Sequence, residues 1–211
     1  MTMNLAIAQG EHVAQSEADL RRLYPGPVHL IQRKVLSRLD GHCEKFISLS
    51  PLVFVSTSSR DGRCDVSPRG DAPGFVLVLD DRHIVLPDRP GNNRIDTLRN
   101  IVENGYAGLI FLIPGREETL RVNGSAVVSY AADLLTRMQM KRSLPRSAIV
   151  VAVEEAFLHC GRAFRRGAIW DPAHFPPAQA LPPFATMLAD HTRPDSTEQA
   201  LIDQSTNAPL Y

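Results

Sequence analysis

Polar and basic residues gather in three short segments of this 211-residue chain, and each segment interrupts an otherwise apolar stretch. The first segment is Ser67–Asp71, the second is Pro87–Arg94, and the third is Thr119–Gly124. Each contains at least one arginine, whose planar fork of N–H donors suits phosphate. The residue types in these segments therefore predict a site for a phosphate-bearing ligand.

The second segment carries the strongest physical signal. Asn92 and Asn93 lie where a helix is expected to begin, and free backbone N–H groups and the positive end of the helix dipole point outward there. Arg94 adds a fixed positive charge, so this segment predicts an anion site of the kind that helix N-termini provide. The alternative is an ordinary helix cap after the Pro90–Gly91 turn, with Arg94 in solvent.

The first and third segments each offer a further cation. Arg69 lies beside Gly70, where the missing side chain allows a ligand to approach the backbone closely. Arg121 points to the face opposite that of its apolar neighbours in an alternating strand, and an arginine that faces a cavity needs an anionic partner. The alternatives are a surface arginine in a β-turn and a solvent-facing strand position.

Other chemistries find little support in the sequence. No glycine-rich loop of the Rossmann or P-loop type is present, and no serine has the context of a hydrolase nucleophile. His159, Cys160 and His174 lack the paired spacing of a zinc site. We therefore expect no metal.

The elements that must position these segments divide the chain near residue 50. A capping box at Ser16–Asp19 predicts a helix that ends near Leu23. Apolar residues at helical spacing predict a second helix over 28–39 and a third over 43–49.

Paired strands are predicted beyond residue 50, with helices over 95–102 and 131–143 between them. The apolar runs 75–79 and 83–86 are nearly continuous, so both faces must be covered, and a barrel wall against a dimer partner would cover them. Gly124 indicates a bulge or a close backbone approach, because the strand pattern continues past it. The fold class is mainly β with added helices (α+β), an antiparallel small barrel. The predicted strands are 52–57, 64–67, 75–79, 83–86, 105–113, 119–130 and 148–157.

Composition narrows the class of protein. Lysine plus arginine equals aspartate plus glutamate at 23 each, which argues against partners such as nucleic acid or an anionic membrane surface. Three cysteines are too few for a disulfide framework, and neither a signal sequence nor an apolar run long enough to span a bilayer is evident. We expect a cytoplasmic protein.

Six sequence motifs, taken as a set, closely resemble a subgroup of the pyridoxamine 5′-phosphate oxidase-like FMN-binding proteins. The resemblance covers roughly residues 30 to 175. The motifs are Ser67–Phe75, Leu86–Arg94, Phe111–Gly115, Thr119–Gly124, Cys160–Phe164 and Trp170.

The resemblance implies a split β-barrel that works as a homodimer, with one FMN at each end of the subunit interface. It places Ser67 and Arg69 at a strand end, Thr119 and Arg121 beside the isoalloxazine, and the segment after residue 87 around the phosphate. Arg162 and Trp170 are implied to reach the flavin held mainly by the other subunit. The full set of implied cofactor-binding residues is Ser67, Arg69, Gly70, Asp71, Pro87, Asp88, Asn92, Asn93, Arg94, Thr119, Arg121, Arg162 and Trp170.

The same resemblance implies an FMN-dependent oxidoreductase that acts on a small molecule. The alternatives are a non-catalytic flavin- or haem-binding module and a reductase that uses the deazaflavin F420. The predicted organisation is a helical extension over 1–50 packed on the barrel, an FMN-binding barrel over 51–170, and a proline-rich tail over 171–211 without regular structure.

The chain departs from true pyridoxamine phosphate oxidases at three places. Pro68 and Gly70 interrupt their first FMN strand, and Asn92–Arg94 replaces their Ser-Arg-Lys triplet. Their C-terminal Arg-x-His signature is absent from the proline-rich region. Pyridoxine 5′-phosphate is therefore not the expected substrate.

Overall fold

The computed structural model describes residues 13–206, and a boundary between Val35 and Leu36 separates two compact units. The first unit contains helix α1 (Glu17–Leu23) and helix α2 (His29–Arg33). The predicted cap of α1 is confirmed, because Ser16 Oγ accepts a hydrogen bond from the Asp19 backbone N–H at 3.2 Å. Residues 1–12 and 207–211 of the predicted extension and tail lie outside the described residues.

The helix predicted over 28–39 is wrong beyond Arg33. Leu36 instead forms an antiparallel β-bridge with Ala156, with backbone hydrogen bonds of 2.9 and 2.8 Å in the two directions. Pairing with a strand more than a hundred residues away overrides the local helical pattern.

The second unit is built on one seven-stranded antiparallel sheet in the order β2-β1-β5-β6-β7-β4-β3. This architecture confirms the predicted fold class, mainly β with added helices. The strands are β1 (Leu52–Ser58), β2 (Cys64–Gly70), β3 (Leu77–Asp80), β4 (His83–Pro87), β5 (Tyr106–Leu112), β6 (Thr119–Ser129) and β7 (Ala148–His159).

Six α-helices accompany the sheet within the described part of this unit. The two longest before the last strand, α3 and α4, cover one face of the sheet, where Ile47 and Ile101 join the buried residues of β1, β5, β6 and β7. The helices are α3 (Gly41–Leu49), α4 (Asp96–Asn104), α5 (Ala132–Arg137), α6 (Arg162–Arg166), α7 (Phe184–Thr192) and α8 (Ser196–Thr206).

Strand β4 is buried on both faces within the chain. Ile84 and Leu86 face the main core, while Val85 packs with Met138 and Ala148 in a smaller cluster beside α5. The continuous apolar run of β4 is therefore explained by α5, and it is not evidence for a dimer partner.

The predicted bulge at Gly124 is confirmed. The register of β6 against β7 shifts between Asn123 and Gly124. A Cβ atom on Gly124 would overlap the carbonyl oxygen of Ala152. Two backbones therefore approach each other here more closely than a side chain allows.

The tail after Trp170 contains regular structure, contrary to the sequence prediction. Short 3₁₀ turns occupy Pro172–His174 and Ala178–Ala180, and α7 and α8 follow. Helix α7 begins directly after Pro183, its N-cap residue. Proline stops a helix interior but is tolerated where a helix begins. No helix among residues 13–206 is long and apolar enough to cross a membrane.

Candidate ligand-binding cleft

A cleft of about 760 Å³ opens where β2 and β4 end. Four stretches form most of its wall: residues 67–70 of β2, the loop 88–95 after β4, residues 143–147 before β7, and the first turns of α4 around Leu98. Strands β2 and β4 lie near opposite ends of the strand order. The curvature of the sheet therefore brings its two ends together around this cleft.

The cleft unites eight of the residues predicted from the sequence and leaves five outside its lining. Asp71, which lies next to the cleft, instead accepts a hydrogen bond from Arg89. Thr119, Arg121, Arg162 and Trp170 lie elsewhere. The eight lining residues are Ser67, Arg69, Gly70, Pro87, Asp88, Asn92, Asn93 and Arg94.

Arg69 holds the two ends of the sheet together. Its Nη1 donates to Asp88 Oδ1 at 2.6 Å, and each side chain is only 21% exposed. Its Nε is buried and has no hydrogen-bond partner among the described residues. Because a buried donor without an acceptor is unfavourable, Arg69 retains a capacity to bind an acceptor in this cleft.

Arg94 lines the cleft and precedes helix α4, where it pairs with the first residue of that helix. Helix α4 begins at Asp96, within one residue of the predicted start at residue 95, and its N-cap is Ile95 rather than Asn92 or Asn93. Arg94 Nε donates to Asp96 Oδ2 at 2.8 Å, and the Arg94 side chain is 76% exposed. This hydrogen bond raises the pKa of Arg94 and lowers the pKa of Asp96. The helix N-terminus therefore already carries a carboxylate that complements its dipole.

Backbone conformation explains why Asn93 lies outside the helix. Asn93 and Ile95 have φ angles of 58° and 53°, which belong to the left-handed region rather than to a right-handed helix. Asparagine tolerates that region, but a β-branched residue such as isoleucine is a genuine outlier there. Strain of this kind costs about 1–3 kcal/mol and persists where the surroundings impose it.

Sequence reasoning missed the basic residues Arg89 and Arg146, which also line the cleft. Arg146 Nη1 donates to Asn93 Oδ1 at 3.2 Å. A signal for Arg146 existed in the strand order. Antiparallel pairing of β4 with β7 matches Pro87 with Ala148, so the residues just before β7 must lie beside those just after β4.

Arg121 lies on the sheet face opposite the main core, in one row with Phe54, Ile110 and Phe157 by strand register. Its Nε donates to Asn123 Oδ1 at 3.2 Å, and Asn123 Nδ2 donates to Glu155 Oε1 at 2.9 Å. The anionic group nearest to Arg121 in this network is thus Glu155, and the side-chain amide of Asn123 connects the two residues.

The two C-terminal predicted residues lie at and just after α6. Trp170 Nε1 donates to the backbone oxygen of Arg116 at 2.7 Å, and the indole stacks on Phe164 with ring centroids 5.9 Å apart. Arg162 is the first residue of α6. Neither residue lines the cleft within one chain.

The family profile described as pyridoxamine 5′-phosphate oxidase matches residues 39–160. That range contains all seven strands and every part of the cleft wall. The chain belongs to the pyridoxamine 5′-phosphate oxidase family. The family predicted from the sequence motifs is thereby confirmed.

Solved structures that match this chain have low sequence identity to it. The HupZ protein of Group A Streptococcus is 20% identical, with 57% of this chain and 93% of that chain covered and a TM-score of 0.46. An FMN-binding protein from Syntrophomonas wolfei is 14% identical, with coverages of 68% and 97% and a TM-score of 0.42. The FAD-binding protein from Mycobacterium smegmatis is 15% identical, with coverages of 59% and 97% and a TM-score of 0.41. No curated protein sequence matched the chain.

Proposed function

We propose that the cleft binds FMN and that the chain is an FMN-dependent oxidoreductase acting on a small molecule. The observation that carries this proposal is the convergence of Arg69, Arg94 and Arg146 on one cleft in a member of this family. The cleft volume of about 760 Å³ lies within the range of roughly 300–1,000 Å³ that is usual for cofactor sites.

The charges of the cleft favour a phosphate. Four arginines line it, and Asp88 is the sole carboxylate among the lining residues that the structure describes. Arg69 and Arg94 each have a carboxylate partner, whereas the partner of Arg146 is the neutral amide of Asn93. Arg146 therefore brings a positive charge that no described carboxylate neutralises. We expect it to anchor the phosphate, together with Asn93.

The apolar part of the lining suits a flat ring. Phe75 is buried and lines the cleft, and Ile95, Leu98 and Leu144 add aliphatic surface. The buried, unpaired Nε of Arg69 supplies a donor in the same cleft. FMN, when bound, would supply the hydride or electron chemistry, and the protein's part is to hold and orient it.

We further propose that the protein is a homodimer, with the cofactor at the subunit interface. The row Phe54, Ile110, Arg121 and Phe157 forms a half-buried and mostly apolar band on the sheet face away from the main core. A second copy placed on this band would cover it. Thr119, Arg121, Arg162 and Trp170 would then belong to a site completed by both subunits.

The proposed location is the cytoplasm. Cys43 and Cys64 are free, although Cys64 is exposed. Free exposed thiols persist in a reducing compartment.

The test is FMN binding by the purified protein, followed by absorbance and gel filtration. We expect stoichiometric flavin that elutes at dimer size. Arg146→Met should weaken the affinity by about 10- to 100-fold, because a charge-assisted hydrogen bond contributes about 1.5–3 kcal/mol. Arg142→Met is the matched control, since Arg142 lies in the same segment but outside the cleft lining.

The outcomes separate the parts of the proposal. If no flavin stays bound to the wild-type chain, the cleft is not an FMN site. Equal losses in the Arg142 and Arg146 variants would remove Arg146 from the phosphate site. Bound flavin that neither NAD(P)H nor any added donor reduces would favour a non-catalytic flavin-binding module.

A further inference from the structure

We propose that Arg89 is a positioning residue that holds the segment 139–147 in place for the cofactor, since residues 143–147 of that segment form one wall of the cleft. This inference rests on the proposed function, since the ligand of that wall is FMN. Arg89 itself is not proposed to contact the phosphate.

Arg89 joins three segments that are far apart in the sequence. Its Nε donates to Asp71 Oδ2 at 2.7 Å, and the two side chains are only 15% and 4% exposed. Its Nη1 donates to the backbone oxygen of Met138 at 2.9 Å. The loop after β2, the loop after β4 and the end of α5 therefore meet at one guanidinium group.

Two N–H donors of Arg89 and its charge are engaged by these partners. Asp71 neutralises its charge at hydrogen-bond distance, in contrast to Arg146, whose described partner is an amide. Met138 follows the last residue of α5, where helix carbonyls lack intrahelical partners and arginine commonly binds them. Arg89 thus acts as a cap that ties α5 to the cleft.

The segment that follows Met138 contributes Arg146 to the cleft. From Met138 the chain makes a tight turn in which the backbone N–H groups of Met140 and Ser143 bond to each other's carbonyls at 3.1 and 2.9 Å. At its far end, the Ser147 carbonyl accepts from the Asp88 backbone N–H at 2.9 Å. The loop after β4 therefore holds this segment at both ends, and Arg89 supplies the attachment at the near end.

The buried ion pair is better suited to fixing geometry than to adding stability. Charges removed from water lose hydration that their attraction only partly replaces, so such pairs contribute little net stability. Removing one partner leaves the charge of the other buried without its counter-ion. An ion pair of this type fixes the point where the three segments meet. In enzymes, misplacing a reacting group by about 1 Å can lower the rate by about 100-fold, so a displaced cleft wall is expected to weaken the protein's function.

The experiment compares Arg89→Met, Arg89→Lys and Asp71→Asn with the wild-type chain. Arg89→Met keeps the aliphatic stem and removes both hydrogen bonds, whereas lysine keeps the charge but has no fork to reach two partners. Arg38→Met is the matched control, because Arg38 pairs with Asp81 on the surface at 3.3 Å.

The first readout is amide hydrogen exchange of the cofactor-free protein. In Arg89→Met we expect the Met140 and Ser143 amides to exchange at least about tenfold faster, while amides of β5 and β6 keep their wild-type rates. Arg89→Lys and Asp71→Asn should give smaller increases, and Arg38→Met none. A uniform increase across the sheet, or no change at Met140 and Ser143, would overturn the positioning role.

The second readout is FMN affinity by fluorescence titration. We expect Arg89→Met to raise the Kd by at least about tenfold, with partial rescue in Arg89→Lys. Local opening around Met140 with an unchanged Kd would show that this wall does not serve the cofactor. If the wild-type chain binds no FMN, the proposed function fails, and hydrogen exchange alone still decides whether Arg89 fixes the segment.

Discussion

Replacing Gly124 by alanine tests whether the bulge between β6 and β7 fixes the position of β7 beside the cleft. The added Cβ would overlap the carbonyl oxygen of Ala152 and would lie 2.9 Å from its carbonyl carbon and 3.3 Å from the Glu154 nitrogen. All three atoms belong to the backbone of β7, so no side-chain rotation relieves the contact. The strands β6 and β7 must separate or change register.

The size of the effect follows from the distances. Non-bonded carbon atoms prefer separations of about 3.5–4.0 Å, so the paired backbones must move by roughly 1 Å. Overpacking of a rigid interior costs about 1–3 kcal/mol and occasionally more, and we expect Gly124→Ala at or above the upper end of that range. The bulge also sets the register that carries Ser147 to its hydrogen bond with Asp88, so FMN affinity should fall as well.

Urea unfolding followed by far-ultraviolet circular dichroism measures the loss. Gly108→Ala on β5 is the matched control, because its Cβ would meet a side-chain atom, Asn123 Oδ1, at 3.2 Å. A side chain can move aside, so this variant should lose less than about 1 kcal/mol. A Gly124→Ala protein that is as stable as Gly108→Ala would refute the reasoning.

Two further predictions concern helix α3. Asp40 Oδ1 accepts from the Cys43 backbone N–H at 2.8 Å, which lowers the pKa of Asp40. Its stabilising contribution is therefore complete above the unfolded pKa of about 3.9 and is lost as pH falls through the lower folded value. Asp40→Ala should lower the free energy of unfolding by about 1 kcal/mol at pH 7 and by much less at pH 2. Asp40→Asn should lower it little at either pH. Urea unfolding measures both losses, and an equal loss for Asp40→Ala at the two pH values would contradict this. Burial raises the pKa of the Cys43 thiol to about 11. A thiol reagent at pH 8 should therefore modify the exposed Cys64 at once and Cys43 only after unfolding, and modification of Cys43 in the folded protein would contradict this.

Local patterns in the sequence predicted most of the strands and the bulge. Alternation of buried and partly exposed residues in β1 and β5 follows the two-residue period of a strand, as in Val53, Phe54 and Val55. Gly124 was identifiable because the pattern continued on both sides of it. The cap of α1 at Ser16 also depends only on residues within one helical turn.

The boundaries that failed depend on distant partners. The apolar residues of segment 28–39 have helical spacing, yet Leu36 forms a β-bridge with Ala156 of β7. The helix cap expected at Asn92 and Asn93 lies at Ile95 instead, because the loop before α4 adopts left-handed angles, with Asn93 held by Arg146. Strand β2 extends through Pro68 because it lies at the end of the strand order, where a missing backbone N–H is tolerated.

By itself the sequence determined the family and the mainly β fold class, along with the two segments that carry Arg69 and Arg94. Only the tertiary structure decided which arginines share a cleft, since Arg69 and Asp88 lie near opposite ends of the strand order and meet only because the sheet curves. The pairing of β4 with β7 adds Arg146 to the cleft, and the register of β6 leaves Arg121 on another face of the sheet. The pattern of residues in the sequence reflects contacts within one helix or strand. The curvature of the sheet, and the contact between its two ends, depend on how all seven strands pack together.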